Sequence, residues 1–424
     1  MNFARFNHVL IPQDARARMD WLKGAKGVFL RGPFRVYLQL TDLGRFLLVF
    51  WLFAATMGLN MGQTVCYVVS GLITGLFVAS VIAARFCRLA DVDVGVTCPP
   101  RVQAGAPIEF MVRVANRGPA VDTIDIEPPF LTWDGRWTMS PPRIPQLDAD
   151  RSETVLCRAR FSARGRHSLM PFAVRRVAPP GIVTGKPVMS DLSAFVVVPR
   201  FPRIARLSIP AGTRCQPGGV AMASLVGEAR ELSGVRPYRP GDRLRDVHAR
   251  TWARTGIPHV REYHQEYFSR IGLLLDTDQK NGAVTEEEFE GAISLAAGCL
   301  AHLAGRDTLI DLLVVGQQVH RLTLGRHLGF LEQGLDLLAL VTPGQPIDGP
   351  GMKRDLSPFI QRLSAAIFIC LSESTVHREV AGWMQEQGIP TLRLRVSRRP
   401  MATPAPGVRV VTTARIRGNE ELVL

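Results

Sequence analysis

From Phe46 to Ala84 the chain carries no charged side chain. The stretch divides into "FLLVFWLFAATMGLNMG" (46–62) and "TVCYVVSGLITGLFVASVIAA" (64–84). As helices they span roughly 26 Å and roughly 31 Å, against a bilayer hydrocarbon core of about 30 Å. Asn60, Gly62 and Gln63 are the only turn formers between them, so the pair is expected to be a two-helix transmembrane hairpin over 46–84. Arg45 precedes it, Arg85 and Arg88 follow it, and the connecting loop has no charge. The positive-inside rule then puts both flanks, and the bulk of the chain, on the cytoplasmic side of the cytoplasmic (inner) membrane. A leader of 45 residues is too long for an ordinary signal peptide. Residues 1–45 read instead as a basic cytoplasmic arm, with Trp21 and Leu22 between Arg18 and Lys23 suited to anionic lipid.

The formal net charge of +14 raises the question of nucleic acid, and its distribution decides against that reading. Residues 1–45 hold eight Arg or Lys against three Asp, 227–262 hold eight against five acids, and 392–424 hold seven against two. Three separate excesses make no single binding stripe, and no row of aromatic side chains accompanies them to stack bases. The seven cysteines are widely spaced, with no pair at metal-ligand spacing, as expected of isolated packed thiols in a reducing compartment.

After the hairpin the period changes twice. Residues 89–203 alternate with the two-residue period of half-buried strands. Ile108, Phe110, Val112 and Val114 share one face, and Val155, Cys157, Ala159 and Phe161 share another. Short strands separated by Pro and Gly predict an antiparallel β-sandwich. Over 269–415 continuous apolar strands (270–276, 309–315 and 365–372) alternate with helices at 3.6-residue period, one of them carrying Phe289, Ile293, Leu300 and Leu303. That order predicts an open, mainly parallel α/β sheet. Ser357 and Pro358 read as the N-cap and first residue of a further helix after a Pro/Gly-rich loop at 342–351. Residues 204–268 form a motif segment between the two domains, and 416–424 a short tail.

In an open α/β sheet, ligands gather beyond the carboxyl ends of the strands. Asp276 and Asp278 stand at such an end. Their spacing suits two Mg²⁺ sites, the Asp-x-Ser-x-Ser site of von Willebrand A-type domains and the Asp-x-Asp site of haloacid-dehalogenase-like phosphoryl transfer. In the first, Lys280 replaces the second Ser, and its ammonium opposes a divalent cation. In the second, Asp276 would be the nucleophile, Asp278 the general acid and Ser372 the phosphate-holding hydroxyl. The apolar step after the second Asp is missing, and Glu420 and Glu421 lie in the tail. Acids capping the end of a strand account for the pair better than either chemistry, so no cofactor and no catalytic residue is expected. A Mg²⁺-dependent phosphoryl hydrolase using Asp276 and Asp278 is the main alternative, and Arg-mediated nucleic-acid binding a second. His248, His259 and His264 lack a matching carboxylate or Cys spacing and read as hydrogen-bonded structural residues.

The remaining signal is "GEARELSGVRPYRPGDRLRDVHARTWARTGIPHVREY". Gly227 and Glu228 open it; Tyr238, Pro240, Gly241, Asp242 and Arg245 form its core; Ala253, Arg254, Thr255 and Gly256 close it before Arg261. Residue for residue this resembles the domain of unknown function fifty-eight family, whose genes commonly accompany MoxR-type AAA+ ATPases. "LTDLGRFLLVF" resembles the same family's Thr-x-x-Gly approach to a two-helix anchor. One departure is visible: the family usually has Trp directly after the position of His248, where this chain has Ala249, with Trp252 three residues later. The resemblance implies a multi-domain protein whose α/β part is von Willebrand A-like (Rossmann-like). It further implies a non-catalytic partner of a MoxR-type ATPase in assembling or remodelling envelope complexes. Physically, Pro240-Gly241-Asp242 is turn chemistry. Arg245, Arg250, Arg254 and Arg261 offer forked donors to Asp242, Asp246 and Glu262, or to a partner's acids, so the motif is either an internal joint or a docking face.

Overall fold

The computed structural model describes residues 39–424 except 62, 211–231, 243, 264–268, 280–283, 307, 317–319, 325–327, 345–347, 402–404 and 419. The basic leader, apart from its last residues, therefore lies outside the described part, as do Gly227, Glu228, His264 and Lys280. The chain divides into two compact units, Met1–Arg200 and Phe201–Leu424.

In the first unit the charge-free stretch forms helices α1 (Asp42–Met61) and α2 (Thr64–Phe86). Both are long and apolar enough to cross a membrane. α1 starts four residues earlier than the apolar run because Thr41 anchors its first turn: Arg45 N donates to Thr41 O at 2.8 Å and Gly44 N to Thr41 Oγ1 at 3.1 Å. Their large apolar side chains face outward; Phe46 is 68% exposed and Leu72 70%. Trp51 Nε1 donates to Thr74 Oγ1 across the pair at 2.9 Å.

Twelve strands follow: β1 (Val92–Thr97), β2 (Arg101–Gln103), β3 (Pro107–Asn116), β4 (Val121–Glu127), β5 (Gly135–Met139), β6 (Ile144–Leu147), β7 (Ser152–Phe161), β8 (Gly165–Leu169), β9 (Ala173–Ala178), β10 (Val183–Thr184), β11 (Val188–Met189) and β12 (Ser193–Val198). One sheet runs β1-β3-β7-β5, a second β10-β9-β4-β6 with β11 on β9, and a third β2-β12-β8. All share a core in which Phe110 meets Trp137 and Phe195 edge-on at 5.7 and 5.8 Å. The alternation seen in the sequence is the burial pattern: in the β3–β7 register Ile108 faces Ala159, Phe110 faces Cys157 and Val112 faces Val155, all buried. One pairing departs from the antiparallel expectation, since β2 and β12 are parallel.

The hairpin is seated on this sandwich through the loop before β10. Thr41 N donates to Ile182 O at 2.9 Å and Thr41 Oγ1 to Gly181 O at 2.7 Å. Thr184 Oγ1 donates to Gln39 O at 3.1 Å. Here Gly44 is required, because a Cβ would overlap the Ile182 carbonyl oxygen; Gly185 meets the Cys87 carbonyl in the same way at the end of α2. Leu40, Ile182 and Val183 complete a small apolar cluster with Leu47 and Phe77.

The second unit is built on a six-stranded sheet from β16 (Ser269–Asp276), β17 (Thr308–Val315), β18 (His320–Leu324), β19 (Ala365–Cys370), β20 (Thr391–Ser397) and β21 (Val408–Thr412). The order is β18-β17-β16-β19-β20-β21, parallel throughout except for edge strand β18. Strands buried on both faces read as unbroken apolar runs, and β16, β17 and β19 do so. The exception, Asp311 in β17, is held by Arg270 of β16 at 2.8 Å. A capping box from Thr285 and Glu288 starts the helix Glu286–Ala304, which buries Phe289, Ile293, Leu300 and Leu303 as predicted.

The helix expected to begin at Ser357 begins earlier, at Gly349, and runs to Ile360. Asp348 is its N-cap, accepting from Gly351 N at 3.2 Å, and Pro350 occupies the first turn; Pro358 falls in the last turn. Met352, Leu356 and Ile360 then fall on one buried face, and that burial sets the boundaries. Two short parallel strands, β13 (Ile204–Arg206) and β22 (Leu422–Val423), incorporate the residues read as a tail into this unit.

Thr41→Val keeps the shape at the seat and the amide bond to Ile182 O, and strands the Gly181 carbonyl and the Gly44 amide. It should cost about 1–3 kcal/mol, read as a lowered Tm of the full-length chain in detergent. Gly95→Ala, with open space around it, should leave Tm unchanged. Equal Tm for both variants would contradict the seat's role.

Candidate functional site

Two places attract the sequence-predicted residues. The first is the carboxyl end of the α/β sheet. The chain runs from β16 outward to β17 and β18, then returns to the other side of β16 as β19, so the topological switch point lies between β16 and β19. Asp276 ends β16 at that crevice, where ligands enter open α/β sheets.

Among the described residues, Asp276 is enclosed at this crevice. Asp276 is 2% exposed; its Oδ1 accepts Asp278 N at 3.0 Å and its Oδ2 accepts Leu371 N at 3.4 Å. His377 Nε2 lies 3.3 Å from Oδ2, while His377 Nδ1 bonds Ser372 O at 3.0 Å. Since a carbonyl can only accept, Nδ1 carries a hydrogen, and the contact between Nε2 and Oδ2 holds one further proton, on Nε2 as an ion pair or on Oδ2 as a neutral one. Burial pushes the Asp276 carboxyl above its ordinary range, and the nearby imidazole opposes the shift. Burial, then the Asp276 charge, also raises the Cys370 thiol.

His377 was not singled out in the sequence. It arrives through Ser374, whose Oγ accepts His377 N at 3.2 Å and caps the helix Thr375–Glu386. Asp276 therefore presents no open oxygen to a phosphoester. Ser372 contributes its backbone carbonyl to His377, and no group of three or more His, Cys, Asp or Glu suited to a metal occurs among the described residues.

The second place is the motif, which closes on itself. Strands β14 (Leu232–Pro237) and β15 (His259–Tyr263) pair antiparallel, with Pro237 opposite His259 and Val235 opposite Arg261. Between them run the Pro240-Gly241 turn, a 3₁₀ turn at Leu244–Asp246, and the short helix Ala249–Thr255. Gly241 (φ +104°) and Gly256 (φ +70°) take left-handed backbone, the second as the helix C-cap. Tyr238 N donates to Pro258 O at 2.8 Å, pinning the base of the excursion.

Asp242 is the internal fastener. Arg236 grips it bidentately, Nη1 to Oδ2 at 2.7 Å and Nη2 to Oδ1 at 2.8 Å, and Arg239 N adds a bond at 2.8 Å. The Arg236 hydrogen bonds lead in holding its carboxyl down at about 2. This corrects the sequence reading, which offered Arg245, Arg250, Arg254 and Arg261 as donors to Asp242. Arg236 reaches it because the strand before the turn brings its fork back over the Pro-Gly bend. The side chain of Arg245 lies outside the described residues.

His248 caps the short helix, its Nδ1 accepting from Thr251 N at 3.3 Å, and His259 Nδ1 bonds Ile257 O at 2.7 Å, so both are hydrogen-bonded within the motif. What remains faces solvent: Arg250, Arg254 and Arg261, with Trp252 47% exposed and Ile257 and Leu244 also exposed. Arg250 and Arg254 make no ion pair with a described carboxylate. Ala249 and Trp252 are three apart on one helix, so the displaced Trp stays on the face that position 249 occupies.

No curated protein matches the chain. Among solved structures, native Escherichia coli alpha-2-macroglobulin is similar at 16% identity over 27% of this chain and 7% of its own, with a TM-score of 0.21. Its fragment from domain MG7 to the C-terminus gives 14% identity, 30% and 19% coverage, and a TM-score of 0.22. The Pseudomonas fluorescens alkylpurine DNA glycosylase AlkC, bound to DNA containing an abasic-site analogue, gives 13% identity, 33% and 41% coverage, and a TM-score of 0.19. The chain spans less than half the length of each, and likenesses this slight bear on neither fold nor function. Residues 234–324, from the first motif strand to the edge of the α/β sheet, match the family described as "Protein of unknown function DUF58". Over that span the chain is similar to the DUF58 family.

Proposed function

We propose that the chain is a membrane-anchored, non-catalytic adaptor, and that the exposed face of its motif hairpin docks an acidic surface of a MoxR-type AAA+ ATPase. The observation that carries this reading is the division of labour among the arginines. Arg236 is spent on Asp242, whereas Arg250, Arg254 and Arg261 stand exposed, the first two a turn apart on the short helix that also exposes Trp252. Arg and Trp are residue types that dominate binding hot spots, and exposed guanidiniums suit an acidic partner.

The anchor reading rests on two helices of spanning length whose apolar side chains have no cover, flanked on both ends by Arg. Both flanks then lie in the cytoplasm, where the ATPase would be met, and the client would be an envelope-associated complex. We read the six-stranded sheet as von Willebrand A-like, with its ligand crevice occupied by the Asp276–His377 contact. That closure supports a non-catalytic role over a Mg²⁺-dependent phosphoesterase. Among the described residues of the motif, Trp252 is the one exposed aromatic ring, which also favours protein over nucleic acid as the partner.

Three outcomes are expected. Binding of the full-length chain to the MoxR-type ATPase of the same genome should weaken with salt. It should fall about 30-fold or more in Trp252→Ala or Arg254→Glu, since a hot-spot side chain contributes about 2 kcal/mol or more; unchanged affinity in both folded variants would remove the docking face.

In a Cys66→Ser background, Gln63→Cys should react with an impermeant maleimide in cells whose outer membrane alone is opened, whereas Gly95→Cys should react only after the inner membrane is breached. The reverse pattern would overturn the topology.

Because the Asp242 carboxyl is depressed, its contribution to hairpin stability is complete above the unfolded value near 4. It is lost as pH falls toward about 2. Hydrogen exchange at Tyr238 N should accelerate over that window relative to the intrinsic rate, and Asp242→Asn should abolish the transition.

A further inference from the structure

A cavity of about 490 Å³ opens in the first unit between the first turn of α1 and the sandwich. Its charged lining is three guanidiniums, Arg45, Arg143 and Arg175, and three carboxylates, Asp42, Asp125 and Glu127. They interleave: Arg45 meets Asp42 at 3.0 Å and Glu127 at 3.8 Å, Arg143 meets Asp125 at 2.9 Å, and Arg175 meets Glu127. In a chain of net charge +14 this pocket is balanced. Arg175 is buried, so its charge sits at fixed depth, whereas the Asp42 carboxylate is 91% exposed at the rim.

Above the rim the surface turns apolar. Asp42, Phe46, Val49 and Phe53 recur at helical spacing on one face of α1, and the three apolar side chains are all exposed. A charged pocket thus continues directly into an uncovered apolar strip on a helix of membrane-spanning length.

We propose that this pocket binds the headgroup of a phospholipid bearing a primary ammonium, such as phosphatidylethanolamine, with an acyl chain lying along Phe46, Val49 and Phe53. The proposal rests on the membrane reading above and adds a ligand to it. A phosphate matches the guanidinium fork, and an ammonium, with three N–H donors, matches carboxylates. An anionic headgroup without an amine would leave the three carboxylates opposing it. A choline headgroup carries the charge but has no N–H to donate. The zwitterion alone satisfies both signs, and its chains have the apolar face to follow.

The test uses the full-length chain reconstituted in vesicles holding equal shares of phosphatidylethanolamine, phosphatidylcholine and phosphatidylglycerol with identical chains. Retained lipid is then read by native mass spectrometry. Phosphatidylethanolamine should be enriched several-fold over its share, and the enrichment should vanish in Arg143→Gln and in Asp42→Asn. It should persist in Arg117→Gln, whose pair with Asp93 lies outside the pocket.

Adducts that follow bulk composition, a preference for phosphatidylglycerol, or enrichment that survives both pocket variants would each overturn the proposal. So would phosphoethanolamine alone binding as well as the lipid, since the strip on α1 would then contribute nothing. Failure of the chain to float with the vesicles would overturn the membrane reading together with the proposal. Flotation without enrichment would overturn the proposal alone.

Discussion

The first unit depends on two places where backbone meets backbone without room for a Cβ. Gly44, in the first turn of α1, lies against the Ile182 carbonyl, and Gly185 lies against the Cys87 carbonyl at the end of α2. Thr41 bridges the approach with its amide and hydroxyl. Because the seat takes in the start of one helix and the end of the other, the helix pair cannot pivot about a single linker. The sandwich is therefore held at the end of the hairpin where the arginines cluster. The same arrangement brings Asp42 and Arg45 over the sandwich's own charges and so makes the balanced pocket. A Thr-x-x-Gly sequence before an apolar helix thus has a mechanical reason: the hydroxyl takes the carbonyls and the glycine admits them.

In the second unit the corresponding economy is electrostatic. Each buried or bent feature that needs a charge has one assigned to it: Arg270 for Asp311 within the sheet, Arg236 for Asp242 at the motif turn, and His377 for Asp276 at the sheet's carboxyl end. Breaking one member of a buried pair costs far more than the pair itself contributes, so these residues fix geometry more than they add stability. The arginines of the motif's outer face are not used this way. Their exposure, with that of Trp252 on the same short helix, is the feature with no internal account, and it is the reason for reading the motif's outside as a contact surface.

Much of this was legible because burial writes a period into the chain. The β3 and β7 faces, the three central strands of the α/β sheet and the helix over Glu286–Ala304 each carry their inward residues at the spacing that the structure buries. Charge-free length made the hairpin legible in the same way. What escaped were contacts between residues remote in sequence. Nothing near Asp276 announces His377, about a hundred residues later, and that contact engages the carboxylate that the sequence offered to a metal. Arg236 precedes the Pro-Gly turn and is recognisable as the partner of Asp242 only once the hairpin register is known. Ser357-Pro358 looked like a helix start because both residues have the right chemistry. Asp348 with Pro350 has it too, and the burial of Met352, Leu356 and Ile360 selects the earlier start. The pocket beneath α1 combines charged residues from four separate segments and left no mark in the sequence.

The central claim, that the Trp252 face meets an AAA+ ATPase while the chain sits in its membrane, is tested most directly by photocrosslinking in intact cells. A photoreactive amino acid placed at Trp252, and separately at Met111 on the exposed face of β3, would be irradiated and the adducts identified. The account predicts a covalent adduct with the MoxR-type ATPase from position 252 and none from position 111. An adduct pattern identical at the two positions, or adducts from 252 that contain only this chain, would contradict it.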